Sequence, residues 1–205
     1  MPKHDWKAFF PHPEIRPGQE KSINEILDTF ESGKRIFVLE AGTGVGKSAI
    51  AVTVARYINH HIPGDDDFKR GCNILTTQKL LQEQYHRDYP EINSLKSSSN
   101  YTCGHHQKIS CNDSRKLLQQ EQKGTAFWRK CTTSCVYKRA KEKYIADPFG
   151  VTNFSYFLTE TRYAGKIPKK TFLVIDEAHN APDELSKFIE VTFSDRFAKS
   201  FVGLK

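Results

Sequence analysis

The chain contains no apolar run approaching the length of a membrane span, and its charged start, Met1 to Trp6, has no signal-peptide core. Both absences point to an intracellular protein without a membrane partner, cytoplasmic or, in a eukaryote, nuclear. Internal repeats are missing, as is low complexity beyond Ser97 to Ser99, which excludes solenoids and arrays. No Cys-x-x-Cys pair and no His-Glu-x-x-His occurs, so neither a zinc ribbon nor a zinc-protease helix is written here. Cysteine itself is scarce, five in 205 residues. In a reducing compartment so few thiols are not disulfide staples, and clustered ones indicate metal or redox chemistry.

What is present is a charge concentrated in one place. The formal net charge is +7, and Lys96 to Ile145 holds 11 Lys and Arg against 3 Asp and Glu, while the remainder has 20 against 21. Outside that stretch, helical and strand patterns alternate. Gln19 to Phe30 reads as a helix ended by Gly33, Arg35 to Glu40 as a buried strand, Ala49 to Asn59 as a helix, Asn73 to Thr76 as a short strand and Lys79 to Tyr89 as a helix. Between Glu91 and Asp147 the alternation stops, with short helices expected at Asp113 to Gln122 and Cys135 to Ala146. Strand character resumes at Gly150 to Thr152, a helix is open to Asn153 to Thr161, and Thr171 to Ile175 is an apolar strand. The order predicts an α/β fold, a RecA-like P-loop parallel sheet with helices on both faces, interrupted by a small, mainly helical insertion. The expected boundaries are 1–94 and 148–185 for the two parts of an ATP-binding domain, 95–147 for the insertion and 186–205 for the start of a further, truncated domain.

Gly42-Thr43-Gly44-Val45-Gly46-Lys47-Ser48 follows the first expected strand and opens a helix, the setting a phosphate loop requires. Its glycines let backbone N–H groups turn toward phosphate oxygens, and the helix N-terminus adds favourable potential. Lys47 is placed to reach the β- and γ-phosphates and Ser48 to ligate Mg²⁺. The strict pattern has Gly where this chain has Ala41. Asp176-Glu177-Ala178-His179 ends the strand Thr171 to Ile175, where loops face the ligand crevice of a parallel sheet. Asp176 is assigned to Mg²⁺ through water, Glu177 to the attacking water, and His179 to the nucleotide side of the same box. Upstream, Arg16-Pro17-Gly18-Gln19 offers in Gln19 an amide able to read an adenine edge.

Cys103, Cys111, Cys131 and Cys135 are separated by seven, nineteen and three residues. Four thiolates are the ligand set of an iron–sulfur cluster, and wide spacing suits a cluster that organises a loop-rich domain. His105 and His106 keep zinc open as the alternative. Cys72 reads as a small core residue. Lys108, Arg115, Lys116, Lys123, Arg129, Lys130, Lys138, Arg139, Lys141 and Lys143 interleave with Tyr101, Phe127, Trp128, Tyr137 and Tyr144. Cations that follow a backbone and rings that stack on bases are what a single-strand channel needs, although at least half of the rings are expected in the insertion's own core.

Together these residues resemble the XPD and DinG branch of superfamily two helicases, which carry an iron–sulfur domain inside the first motor domain. The resemblance rests on Arg16 to Gln19, Ala41 to Ser48, Thr76-Thr77-Gln78, the four cysteines, Val151-Thr152-Asn153-Phe154 and the Asp-Glu-Ala-His box, in that order. It implies ATP, Mg²⁺ and a 4Fe-4S cluster as cofactors, single-stranded and forked DNA as partners, and ATP-driven unwinding with 5′ to 3′ translocation. Thr76, Thr77 and Gln78 would lie near the DNA backbone, and Asn153 and Phe154 near the strand leaving the cluster domain. Helicases of this branch have a second motor domain, which nothing after Asn180 supplies, so the chain is expected to be one part of a motor that binds ATP and DNA weakly and unwinds nothing alone. The competing reading is a nucleic-acid-binding P-loop module with a zinc-stapled insertion and no unwinding activity of its own.

Overall fold

The run Cys72 to Thr76 is buried at every position, as a strand covered on both faces must be, and it forms an inner strand of the sheet. A computed structural model describes residues 3–165 and 167–189. Its four strands are β1 (Lys69–Thr76), β2 (Asn93–Leu95), β3 (Phe149–Asn153) and β4 (Lys170–Ile175). They lie in the order β2-β3-β1-β4, every pair parallel. Parallel strands require crossovers, and these are helical: α1 (Gln19–Glu31) and α2 (Lys47–His61) precede β1, α3 (Lys79–Asp88) joins β1 to β2, and α7 (Phe154–Thr159), continued by a π-turn at Glu160–Ala164, leads toward β4. Between β2 and β3 stand α4 (Cys111–Leu118), α5 (Ala126–Thr133) and α6 (Val136–Ala146), and α8 (Ala181–Ile189) follows β4.

Two apolar layers sandwich the sheet, so the expected α/β architecture with helices on both faces is the one observed. On one face Val52 and Ala55 of α2 and Tyr85 and Tyr89 of α3 pack on Cys72, Ile74 and Val151. Each fully buried aliphatic side chain here contributes about 1.5–3 kcal/mol. Cys72 is wholly buried, as its core reading anticipated, and burial pushes its thiol up to about 12. A second cluster fixes α1 on α2 through Ile23, Ile26 and Leu27 against Ile50, Val54 and Ile58, all at helical spacing. On the opposite face Leu95, Tyr144 and Ile167 form a smaller core. Gly150 is required there, because a Cβ at that position would enter the Tyr144 ring.

Three expectations are corrected. Arg35 to Glu40 forms no regular strand among the described residues. Phe37 and Leu39 pack on the α1–α2 cluster, whereas Ile36 and Val38 are 80% and 83% exposed. The segment is thus apolar on both faces but covered on one, and composition alone reads that as burial. The alternation also does not stop at Glu91, since β2 adds a three-residue edge strand at Asn93–Leu95, too short to leave a periodic signal. Finally, the insertion has a third helix, α5, capped by Thr125 accepting from the Trp128 amide at 3.2 Å. The expected further domain at 186–205 falls, from residue 190 onward, outside the described residues.

Candidate functional site

At the carboxyl end of the sheet the glycine loop takes backbone conformations only glycine accepts freely, with φ of 81° at Gly44 and 86° at Gly46. Gly46 has a second constraint, because a Cβ would collide with the Gln19 amide nitrogen. That nitrogen donates to the Val45 carbonyl at 2.9 Å and to Gly46 at 3.3 Å, while the Gln19 carbonyl accepts from the Arg16 amide at 2.8 Å. Arg16 in turn donates from Nη1 to the Gly44 carbonyl at 2.7 Å. In this structure Arg16 and Gln19 buttress the loop, and the buried Gln19 amide, expected to read an adenine edge, is taken up by loop carbonyls. Lys47 Nζ lies over the loop, donating to Ala41 at 3.1 Å and Gly42 at 3.4 Å. Gly42, Thr43 and Gly44 form the exposed crest.

The second half of the site arrives on β4. The Asp176 amide bonds the Leu75 carbonyl at 2.8 Å, which registers the box against β1. Its carboxylate is held at both oxygens, Oδ1 by the Glu177 amide at 3.0 Å and Oδ2 by the Tyr85 hydroxyl at 3.0 Å. Ser48 lies beside the same hydroxyl, so the first helical turn after the loop and the acidic box both approach one phenol. Burial, followed by the neighbouring Asp176 charge, raises the Tyr85 phenol well above its ordinary value and keeps it a donor. Glu177 is the one non-glycine residue with positive φ among those described, at 54°, a conformation that costs energy and clusters at functional sites. His179 Nδ1 stands 3.3 Å from Glu177 Oε2 and is largely exposed.

Beside the loop opens a cleft lined by Arg16, Gln19, Gly46 and Ser48 together with His12, Pro13, Glu14, Gln84, Asp88 and Tyr89. Sequence reading missed Tyr85 and the last six of these, because none belongs to a motif and only folding brings α3 to the loop. Thr77 accepts from Asn153 Nδ2 at 3.3 Å through its carbonyl and from Asn180 Nδ2 at 3.5 Å through its hydroxyl. The ends of β1 and β3 and the turn after the acidic box therefore converge on one residue.

Cys103, Cys111, Cys131 and Cys135 line one small cavity, with Ser114, Lys130 and Ser134 around it. Ser114 Oγ contacts both Cys103 Sγ and Cys131 Sγ, the latter at 3.6 Å. Among the described residues no three thiol or imidazole donors here lie within 4.8 Å of one another. A tetrahedral zinc site draws its sulfurs to about 3.8 Å apart, closer than these donors stand as a group. Burial raises the Cys111 thiol to about 11, with Cys135 adding to the rise, and burial likewise raises Cys131. At Cys103 burial is outweighed by hydrogen bonds from Ser114 at 3.0 Å and from the His106 and His105 amides at 3.3 and 3.4 Å, which lower it. His105 and His106 pack their rings against Phe127, His105 tilted and His106 edge-on.

Nine of the ten interleaved cations are exposed, and Lys141 is instead paired with Glu160 of the π-turn. None of the five interleaved rings is exposed. Phe127 and Tyr144 are buried and Tyr101, Trp128 and Tyr137 half-buried, so core packing claims more of them than a stacking platform does. No helix of the described residues is long and apolar enough to cross a membrane. A family model described as type III restriction enzyme, res subunit, matches residues 12–202. No curated protein matches the chain significantly.

Proposed function

We propose, starting from the fact that this chain belongs to the type III restriction enzyme res-subunit family, that it is the ATP-binding lobe of an iron–sulfur DNA helicase. The family is one of superfamily 2 helicase-like, ATP-dependent nucleic-acid motors, which implies ATP and Mg²⁺. The finer reading keeps the XPD and DinG resemblance: unwinding of forked DNA, 5′ to 3′ movement, a cluster insertion at 95–147 within an ATP-binding domain formed by 1–94 and 148–185, and a second motor domain as partner.

Lys47 and the loop amides bind the phosphates, with Arg16 and Gln19 holding the loop in shape. Ser48 and Asp176 supply hard oxygen ligands suited to Mg²⁺. Glu177, held in its left-handed conformation, orients the attacking water, and His179 steadies its carboxylate. Cys103, Cys111, Cys131 and Cys135 hold the iron–sulfur cluster, which when bound fastens a basic, loop-rich insertion in one shape. The exposed cations of that insertion bind phosphate backbone.

The observation that carries the reading is Thr77. One residue from the segment assigned to the DNA backbone is hydrogen-bonded to Asn180, next but two to Glu177, and to Asn153 at the exit from the insertion. The segment assigned to strand contact is thus one hydrogen bond from the turn that follows Glu177. Glu177→Gln in the protein assembled with its second motor lobe tests it: ATP binding persists while DNA-stimulated hydrolysis falls by two orders of magnitude or more, roughly the general-base contribution. Unchanged hydrolysis would overturn it.

A further inference from the structure

We infer that Tyr85 is a positioning residue of the nucleotide site, its hydroxyl setting the relative placement of the Ser48 and Asp176 oxygens. The inference deepens the proposed function and rests on reading those two oxygens as the magnesium ligands. Tyr85 lies on α3, outside every nucleotide motif, and is 2% exposed. Its ring is fixed in the core beneath the sheet, against Tyr89 at a centroid distance of 6.0 Å, so the hydroxyl has one place to be. That place is beside Ser48 and against Asp176 Oδ2, which accepts from it at 3.0 Å.

With Oδ1 held by the Glu177 amide, the hydroxyl completes the restraint of the carboxylate and removes its rotational freedom. Mg²⁺ demands near-ideal octahedral geometry and tolerates misplaced ligands poorly. A hydrogen bond to an ionised carboxylate is also stronger than a neutral one, which makes a buried phenol an effective clamp. No other described side chain bridges the phosphate-loop helix and the acidic box in this way. Because α3 begins directly after Thr76-Thr77-Gln78, the clamp is also carried by the element nearest the segment assigned to the DNA backbone.

The test is binding of a fluorescent ATP analogue to the 205-residue chain, titrated with MgCl₂ and repeated in EDTA. Tyr85→Phe keeps the ring and removes the hydroxyl. It is expected to weaken the apparent Mg²⁺ affinity of the nucleotide complex roughly three- to tenfold while leaving nucleotide affinity in EDTA unchanged, a split that loosened packing would not produce. Should that variant not fold, Tyr85→Met, adaptable in shape and lacking the hydroxyl, gives the same reading. Equal Mg²⁺ affinity in variant and wild type overturns the inference alone, as does an equal loss with and without Mg²⁺. Wild-type protein whose nucleotide affinity ignores Mg²⁺ overturns the magnesium-site reading and the inference with it.

Discussion

The nucleotide cleft and the cysteine cavity are assembled in opposite ways. The cleft collects side chains from the 16–19 turn, the 41–48 loop, α3 and the end of β4 onto one edge of the sheet, and the polar groups that face it are bonded to one another. The cavity is made within Cys103 to Cys135, from short helices whose convergent groups are four thiols. Protein contacts hold the first in shape before anything binds. In the second, burial raises the Cys111 and Cys131 thiols, so a bound cation that favours their ionised form would add order that the protein contacts do not supply. The insertion meets the sheet away from the cleft, where Tyr144 of α6 covers Gly150 and donates to Asn73 at 3.0 Å, and Lys170 donates to the Asp147 carbonyl at 3.0 Å.

The contrast is broken most directly by removing one thiol. Cys111→Ser is expected to reduce iron to background and to abolish hydrogen-exchange protection in α4, α5 and α6 while protection of α2 and β1 persists. Protection lost throughout would show that the two regions fold as one. The reciprocal change, Lys47→Ala, should weaken ATP binding roughly 10- to 150-fold, the range for a hydrogen bond to a charged group, and leave DNA affinity untouched in a fluorescence-anisotropy titration. Gly150→Ala attacks the junction. Its Cβ would enter the Tyr144 ring, and overpacking of this kind costs about 1–3 kcal/mol, read as a lower denaturation midpoint.

Lys170 sharpens the comparison through pH. It is 5% exposed, and burial lowers its ammonium from 10.5 to about 8. Below pH 8 both folded and unfolded chains carry the charge, and folding bears the full desolvation cost. Between pH 8 and 10.5 the folded chain sheds the proton first, so wild-type stability rises relative to Lys170→Met by on the order of 3 kcal/mol. Equal pH dependence of the two unfolding curves would refute the buried charge. The smallest effect belongs to the surface: Lys138→Ala and Arg139→Ala, both exposed, should each reduce the salt dependence of DNA binding by about one unit of slope, with ATP affinity unchanged.

Much of this molecule is legible in its sequence because the signals are local. Gly44 and Gly46 announce their backbone conformations, Lys47 and Ser48 their phosphate-loop setting, and the apolar run before Asp176 its strand. Local signals fail where a residue's surroundings come from elsewhere in the chain. Arg35 to Glu40 is apolar enough for a covered strand, yet Ile36 and Val38 have no layer above them. Asn93–Leu95 is too short to show a period, but pairing with β3 makes it a strand. Gln19 is suited to a nucleobase edge, and the fold turns its amide onto the loop instead.

By itself, then, the sequence determined the class of fold, the phosphate loop, the acidic box and the concentration of thiols and positive charge in one insertion, since residue type and spacing along the chain are enough for each. Tertiary structure alone decided that Tyr85 stands between Ser48 and Asp176, that Thr77 links Asn153 to Asn180, that most of the insertion's rings are core, and that the four sulfurs surround one cavity. Those relations join residues distant in the chain through side-chain packing, and no local periodicity records them.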